Sequence, residues 1–194
     1  MSRRASVHRR TSETDVRLEV DLDGSGVASV HTGIGFLDHL LTTLACHAQF
    51  NLTASCEGDL HVDDHHTTED VALALGQSVD NALGDRRGVV RFGHGMAPLD
   101  ESLSRAVVDL SGRAYADINL NLTRERVGTL STENIAHALR SFATAARLTL
   151  HVDVLKGDND HHRAESAFKA TALALRQAVA RSGLDNIPST KGAL

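Results

Sequence analysis

Aromatic residues, cysteine and long apolar runs are scarce in this sequence, and each scarcity excludes a class of protein. With five Phe, one Tyr and no Trp, the core must be built from small and branched aliphatic side chains. Cys46 and Cys56 cannot make a disulfide framework, so we expect free buried thiols in a reducing compartment. No apolar run approaches the roughly 18 residues of a membrane span, and the N-terminus lacks the apolar segment of a signal peptide. We therefore expect a cytoplasmic protein with no membrane partner.

Basic charge is also limited. The formal net charge is −5, whereas proteins that bind nucleic acids usually present a strongly basic face. We therefore expect no nucleic acid as a partner. The 194 residues contain no Pro- or Ser-rich linker, which favours one tight unit over two separate domains.

Alternating apolar and polar residues are typical of half-buried strands, and longer apolar periodicity is typical of helices. In the first half these patterns predict strands over Val16–Leu22, near Val27–His31 and over Phe50–Cys56. They also predict a helix around Phe36–His47, and a second helix that ends near Leu83 before Gly84.

The second half repeats this order. Its predicted elements are strands Leu103–Leu110 and Arg113–Leu122, a helix Thr132–Ala146, a strand Leu148–Val154 and a last helix ending near Arg181. We interpret residues 1–90 and 91–194 as duplicated β-β-α-β-α half-repeats within one functional domain, 1–194. Each sheet has one apolar face for its helices to cover, so the class is α+β, with ferredoxin-like halves packed as one unit.

One short motif, His-His-x-x-Glu, occurs in each half. It occupies His65–Glu69 and His161–Glu165, each at the start of a predicted helix, and a lone histidine lies upstream of each, His39 and His137. Residues three or four apart share a helix face, so each glutamate can align with either histidine of its pair. Adjacent histidines diverge by about 100° and cannot easily face one metal. The motif therefore favours two metals.

Imidazole and carboxylate groups without thiolates suit Zn, Mn, Fe or Ni. A single motif of this kind is explained equally well by a polar helix start with hydrogen-bonded histidines. The repetition of the motif, with an upstream histidine in both halves, favours metal binding. His39 and His137 gain their support only from that repetition.

A second set of residues has the chemistry to bind a phosphate or carboxylate. The segment Ile187–Gly192 combines two hydroxyls, a lysine and a glycine, and Arg91 and Arg113 lie at loop edges. On spacing alone, a frayed tail and solvated arginines explain these residues better.

Several ordered motifs lie along nearly the whole chain: Arg10–Thr14, Thr32–His39, Asp64–Asp70, Pro98–Glu101, Asp109–Arg113, Asn159–Glu165, Phe168–Ala170 and Pro188–Gly192. Together these motifs resemble the imidazoleglycerol-phosphate dehydratase family of histidine biosynthesis.

The resemblance implies a metal-dependent lyase that dehydrates imidazole glycerol phosphate to imidazole-acetol phosphate. It implies two Mn²⁺ per active site, and sites between the subunits of a homo-oligomer of 24 subunits built from trimers. The implied metal ligands are His39, His65, His66, Glu69, His137, His161, His162 and Glu165. The implied phosphate-binding residues are Arg91, Arg113, Lys169, Ser189 and Lys191.

Our mechanistic hypothesis is that the two metals hold the substrate ring as a bridging imidazolate, which expels the hydroxyl before a base removes the neighbouring proton. Glu13 is the candidate base, because it is a motif carboxylate outside the ligand set, and His66 and Glu165 are the other catalytic candidates. One alternative is a dinuclear metallohydrolase, which would release inorganic phosphate. The other is a non-catalytic metal-binding oligomer, which would have no use for Arg113 or Ser189–Lys191.

Overall fold

The computed structural model describes residues 3–194, and its two halves carry the same elements in the same order, apart from a short hairpin that only the second half contains. The first half contains β1 Arg4–Arg10, β2 Thr14–Asp21, β3 Ala28–His31, α1 Gly35–Ala48, β4 Asn51–Gly58 and α2 His65–Leu83. The second contains β5 Phe92–Leu99, β6 Ser102–Asp109, β7 Tyr115–Asn119, a short hairpin of β8 Arg126–Val127 and β9 Leu130–Ser131, α3 Thr132–Ala145, β10 Thr149–Lys156 and α4 Asp160–Val179. No helix within residues 3–194 has the length and apolar character needed to cross a lipid bilayer.

Each half forms a four-stranded sheet, and the two sheets have equivalent topology. The strand orders are β1-β2-β4-β3 and β5-β6-β10-β7. In each sheet the last pair, β3 with β4 or β7 with β10, is parallel and the other pairs are antiparallel. The predicted α+β class and the predicted order of elements are confirmed, with one further strand at the start of each half and the unpredicted β8–β9 hairpin in the second half.

The four helices lie between the two sheets. Helix α2 packs on β1 and β2, α4 packs on β5 and β6, and the helices also pair across the halves, α1 with α4 and α2 with α3. Apolar side chains from all four helices meet at the centre of this layer, including Leu37, Val71, Leu139 and Phe168. The pairing of helices across the halves brings residues of both repeats together, and this pairing builds the site.

The additional strands, β1 and β5, are edge strands whose inward positions carry few large apolar residues. In β5 the buried positions are Gly93, Gly95 and Ala97, whereas Phe92 and Met96 point outward and are each 56% exposed. The usual alternation of apolar-inward and polar-outward residues is therefore inverted. Small inward residues are needed here because α4 lies directly on this strand.

Replacing Gly93 with alanine should therefore destabilise the fold. A Cβ at this position would collide with the carbonyl oxygen of Ala174 and lie 2.8 Å from the amide nitrogen of Ala178. Overpacking of this kind costs about 1–3 kcal/mol, so we expect a clear fall in the thermal unfolding temperature. Gly35→Ala is the matched control, because a Cβ there would meet no atom of the neighbouring elements within 4 Å in the described part of the chain. An unchanged melting temperature for Gly93→Ala would contradict this account of β5.

Candidate metal centre

The first cluster of metal-ligand side chains joins α2 to α3. The Nε2 atom of His137 lies 3.1 Å from Oε1 of Glu69, and the Nε2 atom of His65 lies 4.0 Å from Oε2 of the same carboxylate. The His65 and His137 rings stack with centroids 4.9 Å apart. All three candidate ligand atoms lie within 4.8 Å of one another. His65, the first histidine of the motif and four residues before Glu69, is thus the one that lies on the same face of α2 as this glutamate.

The second cluster repeats this arrangement between α4 and α1. One carboxylate oxygen of Glu165, Oε2, lies 2.9 Å from Nε2 of His39 and 3.2 Å from Nε2 of His161. These three ligand atoms also lie within 4.8 Å of one another. Each cluster takes a His-x-x-x-Glu pair from a long helix of one half and a lone histidine from a short helix of the other. The upstream histidines His39 and His137 are therefore brought to the motifs of the opposite halves.

The second histidine of each motif points away from these clusters. The ring of His66 makes an angle of 78° with that of His65, and the ring of His162 makes an angle of 90° with that of His161. His66 and His162 are the two predicted ligands that the structure does not bring into either three-residue group. Their divergence follows from their adjacency on a helix.

Carboxylates hold the Nδ1 atoms of these diverging histidines. Oδ2 of Asp59 lies 2.9 Å from Nδ1 of His66, and Oε2 of Glu101 lies 2.7 Å from Nδ1 of His162. The Asp59 carboxylate raises the pKa of His66 above its ordinary value. Backbone N–H groups of Asn159 and Asp158, with the His162 imidazole, hold the pKa of Glu101 well below its usual range. Asp59 and Glu101 were not among the predicted site residues.

The candidate base, Glu13, lies beside His66. Its Oε1 atom is 3.7 Å from Nε2 of His66, and its side chain is 47% exposed. The turn between β1 and β2 presents it, and the main-chain carbonyl of Glu13 accepts a hydrogen bond from the N–H of Asp59. Glu13, Asp59 and His66 therefore form one group outside the first metal-ligand cluster.

Polar contacts with α3 hold the start of the first motif, at Asp64 and His65, in place. Asp64 is buried and accepts hydrogen bonds from the backbone N–H and the hydroxyl of Ser131 at the start of α3. Burial opposes its ionisation, yet the hydrogen bonds from Ser131 and Asn134 leave the pKa of Asp64 below its ordinary value. Asn134 also approaches Nδ1 of His65 at 3.1 Å. These contacts join α2 to α3 at the cluster.

Lys169 is paired with a predicted metal ligand. Its Nζ atom lies 2.8 Å from Oε1 of Glu165, one helical turn earlier on α4. Burial opposes ionisation of this carboxyl group, but Lys169 and His39 together lower the pKa of Glu165 to about 2. Glu165 is therefore an anion that touches the metal-ligand cluster with one oxygen and the lysine with the other.

The other predicted phosphate-binding residues gather at the C-terminal end of α4. Arg91 donates to Asp109 and to the carbonyl oxygen of Pro188, which places the tail bearing Ser189 beside it. Arg113 lies in the turn after β6, where its backbone is hydrogen-bonded to the Ser111 hydroxyl, and the adjoining Leu110 N–H donates to the carbonyl oxygen of Arg91. The backbone N–H of Arg91 also donates to the carbonyl of Ala178, nine residues and roughly 13 Å along the helix from Lys169. Within one chain the five predicted residues are thus divided between two places.

Comparison with known proteins identifies the family. The family described as IGPD, Imidazoleglycerol-phosphate dehydratase, matches residues 32–175. Among similar proteins, the imidazoleglycerol-phosphate dehydratase of Candida glabrata is 56% identical, covering 98% of this chain and 99% of that protein. That of Saccharomyces cerevisiae is 53% identical, with 98% of each chain covered.

Solved structures agree. The crystal structure of imidazoleglycerol-phosphate dehydratase from Staphylococcus aureus has a TM-score of 0.83 at 36% identity, covering 92% of this chain and 99% of that one. The enzyme from Pyrococcus furiosus has a TM-score of 0.84 at 30% identity, covering 97% and 100% of the two chains.

Proposed function

Since this chain belongs to the imidazoleglycerol-phosphate dehydratase family, and is therefore a hydro-lyase of histidine biosynthesis, we propose that it works through two metal ions. The observation that carries the proposal is the pair of equivalent His-His-Glu clusters, each assembled from helices of both halves. Two equivalent ligand groups give the chain the side chains to hold two metal ions, which a reaction through two metals requires.

The residues present fit such metals. Each cluster offers two imidazole nitrogens and one carboxylate, with no thiolate, which suits Mn²⁺ as well as Zn²⁺ or Fe²⁺. We propose Mn²⁺, two per active site, on the basis of the resemblance. When bound, the metal ions would supply Lewis acidity and a template that favour the deprotonated form of the substrate imidazole.

We propose that His66 and His162 complete sites that are shared between subunits. Their outward direction supports this, since neither belongs to a three-residue ligand group within the described part of its own chain. The second sheet also presents apolar side chains on its outer face, among them Phe92, Val107 and Tyr115. Such a face is typical of protein–protein contacts. The proposed assembly is a homo-oligomer of 24 subunits built from trimers.

The chain's own residues are assigned to the remaining steps. The reaction removes a hydroxyl from the carbon beside the imidazole and a proton from the next carbon, and the resulting enol becomes a ketone. We assign proton removal to Glu13, whose carboxylate is half-exposed beside His66. Arg91, Arg113, Lys169, Ser189 and Lys191 would hold the phosphate, which stays attached throughout. The division of these residues between two places in one chain fits a site shared between neighbours.

The duplication and the location belong to the same proposal. Equivalent strand orders and equivalent clusters in the two sheets support half-repeats at 1–90 and 91–194. A cytoplasmic location is supported by the unpaired state of Cys46 and Cys56.

Incubation of the manganese-loaded protein with imidazole glycerol phosphate tests the function directly. We expect the ketone imidazole-acetol phosphate to form without release of inorganic phosphate. Removal of metal by a chelator should abolish product formation, and added Mn²⁺ should restore it. Release of inorganic phosphate would favour a metallohydrolase, and metal binding without turnover would favour a non-catalytic oligomer.

A further inference from the structure

Glu13 and Glu101 occupy equivalent places in the two halves. Each directly precedes the second strand of its sheet, β2 or β6, and these strands have the same sequence of buried and exposed positions. Their first residues, Thr14 and Ser102, are both buried. A duplicated chain thus carries a glutamate at the same structural position twice.

The surroundings of the two glutamates have become different. The Oε1 atom of Glu101 accepts hydrogen bonds from the backbone N–H groups of Asp158 and Asn159, at 3.1 and 2.9 Å. Its Oε2 atom lies 2.7 Å from Nδ1 of His162. Both carboxylate oxygens are therefore held. Among residues 3–194, the carboxylate of Glu13 has only the looser 3.7 Å approach to Nε2 of His66.

In the first half, Asp59 rather than Glu13 binds the Nδ1 atom of the diverging histidine. It lies in the loop between β4 and α2, and its Oδ2 atom is 2.9 Å from Nδ1 of His66. The same ring nitrogen is thus bound by a carboxylate in both halves, although the carboxylate comes from different loops. An ionised carboxylate only accepts hydrogen bonds, so in the neutral imidazole Nδ1 carries the proton and Nε2 keeps the lone pair that a metal ion needs.

We propose that Glu101 and Asp59 are positioning residues, which fix the rings of His162 and His66 so that their Nε2 atoms act as ligands. This rests on the proposed function, in which those two histidines bind metal. The two equivalent glutamates then have different roles. Asp59 orients His66, which leaves Glu13 free to react, whereas Glu101 itself orients His162 and is not a base.

Glu101→Gln is the sharpest variant. The amide oxygen of glutamine can still accept the N–H groups of Asp158 and Asn159, which turns its NH₂ group toward Nδ1 of His162. That contact requires the proton to move to Nε2, which removes the lone pair needed for a metal. Loss of such an orienting carboxylate weakens metal binding by roughly 10- to 100-fold.

The test compares Glu101→Gln with Glu13→Gln in the full-length protein. Free Mn²⁺ is titrated by its electron paramagnetic resonance signal, and turnover is measured over a range of Mn²⁺ concentrations. We expect Glu101→Gln to bind Mn²⁺ roughly 10- to 100-fold more weakly and to recover most of its turnover at saturating Mn²⁺. Glu13→Gln should bind Mn²⁺ as the parent does and stay impaired at every concentration.

Two results would overturn the positioning role. One is unchanged Mn²⁺ affinity in Glu101→Gln, and the other is a turnover defect in that variant that saturating Mn²⁺ does not relieve. Asp59→Asn, read in the same titration, decides the matter if Glu101→Gln does not fold, since it should weaken Mn²⁺ binding through His66. Failure of the parent protein to bind Mn²⁺ or to form the ketone would instead refute the proposed function.

Discussion

Glu13→Gln is expected to lower kcat by roughly 10²- to 10⁴-fold, the range that a general acid or base contributes. Glutamine keeps the size of the side chain but cannot accept the proton from the carbon next to the departing hydroxyl. The manganese content should stay at the parent value, because Glu13 lies outside both metal-ligand clusters. Steady-state kinetics with imidazole glycerol phosphate, together with metal analysis of the same sample, measure both quantities.

Glu57→Gln provides the matched control for this substitution. Glu57 is an exposed glutamate of β4, which pairs with Asp15 one strand away from the candidate base. Its replacement should leave kcat within about twofold of the parent, as expected for an exposed glutamate that belongs to neither metal-ligand cluster and has no assigned role in the reaction. Near-normal turnover in Glu13→Gln would show that another group removes the proton.

The helices and the central strands could be predicted from the sequence because their inward positions carry regular apolar residues. Val16, Leu18 and Val20 alternate in β2 and are all buried, and α2 ends at Leu83 before a glycine, as predicted. Strand β5 could not be recognised in this way, since its inward residues are glycines and an alanine. Contact with α4 determines that composition, and the contact depends on the tertiary fold.

The site, too, could be predicted from the sequence only in part. Helix geometry predicted that His65 and His66 diverge, but spacing alone allowed Glu69 to align with either of them. The observed choice, His65, follows from how α3 packs on α2 and presents His137. The crossing of each lone histidine to the opposite half likewise depends on helix pairing, which no local pattern encodes. Asp59 was missed because a turn aspartate is ordinarily solvated.

Glu165→Gln should remove one of the two metal ions and reduce turnover by at least about 10²-fold, since the metals carry the proposed chemistry. One oxygen of Glu165 lies within 3.2 Å of both histidines of its cluster, and the other binds Lys169 at 2.8 Å. Neutral glutamine is a poor ligand for a hard divalent ion and cannot pair with the ammonium group. Metal analysis should therefore show half the parent manganese content.

The duplication supplies a comparison for this variant. Glu69→Gln removes the equivalent ligand from the other cluster. The residue one helical turn after Glu69 is Leu73, whereas the residue one helical turn after Glu165 is Lys169. Both variants should lose similar amounts of manganese and bind the substrate imidazole less tightly, but Glu165→Gln should weaken substrate binding further, because only Glu165 holds a lysine in place. Calorimetric titration with imidazole glycerol phosphate measures that difference, and Glu19→Gln on the outer sheet face serves as the exposed control. Full manganese content in Glu165→Gln would show that Glu165 is not a metal ligand. Equal substrate affinity in the two variants would show that Lys169 does not bind the phosphate.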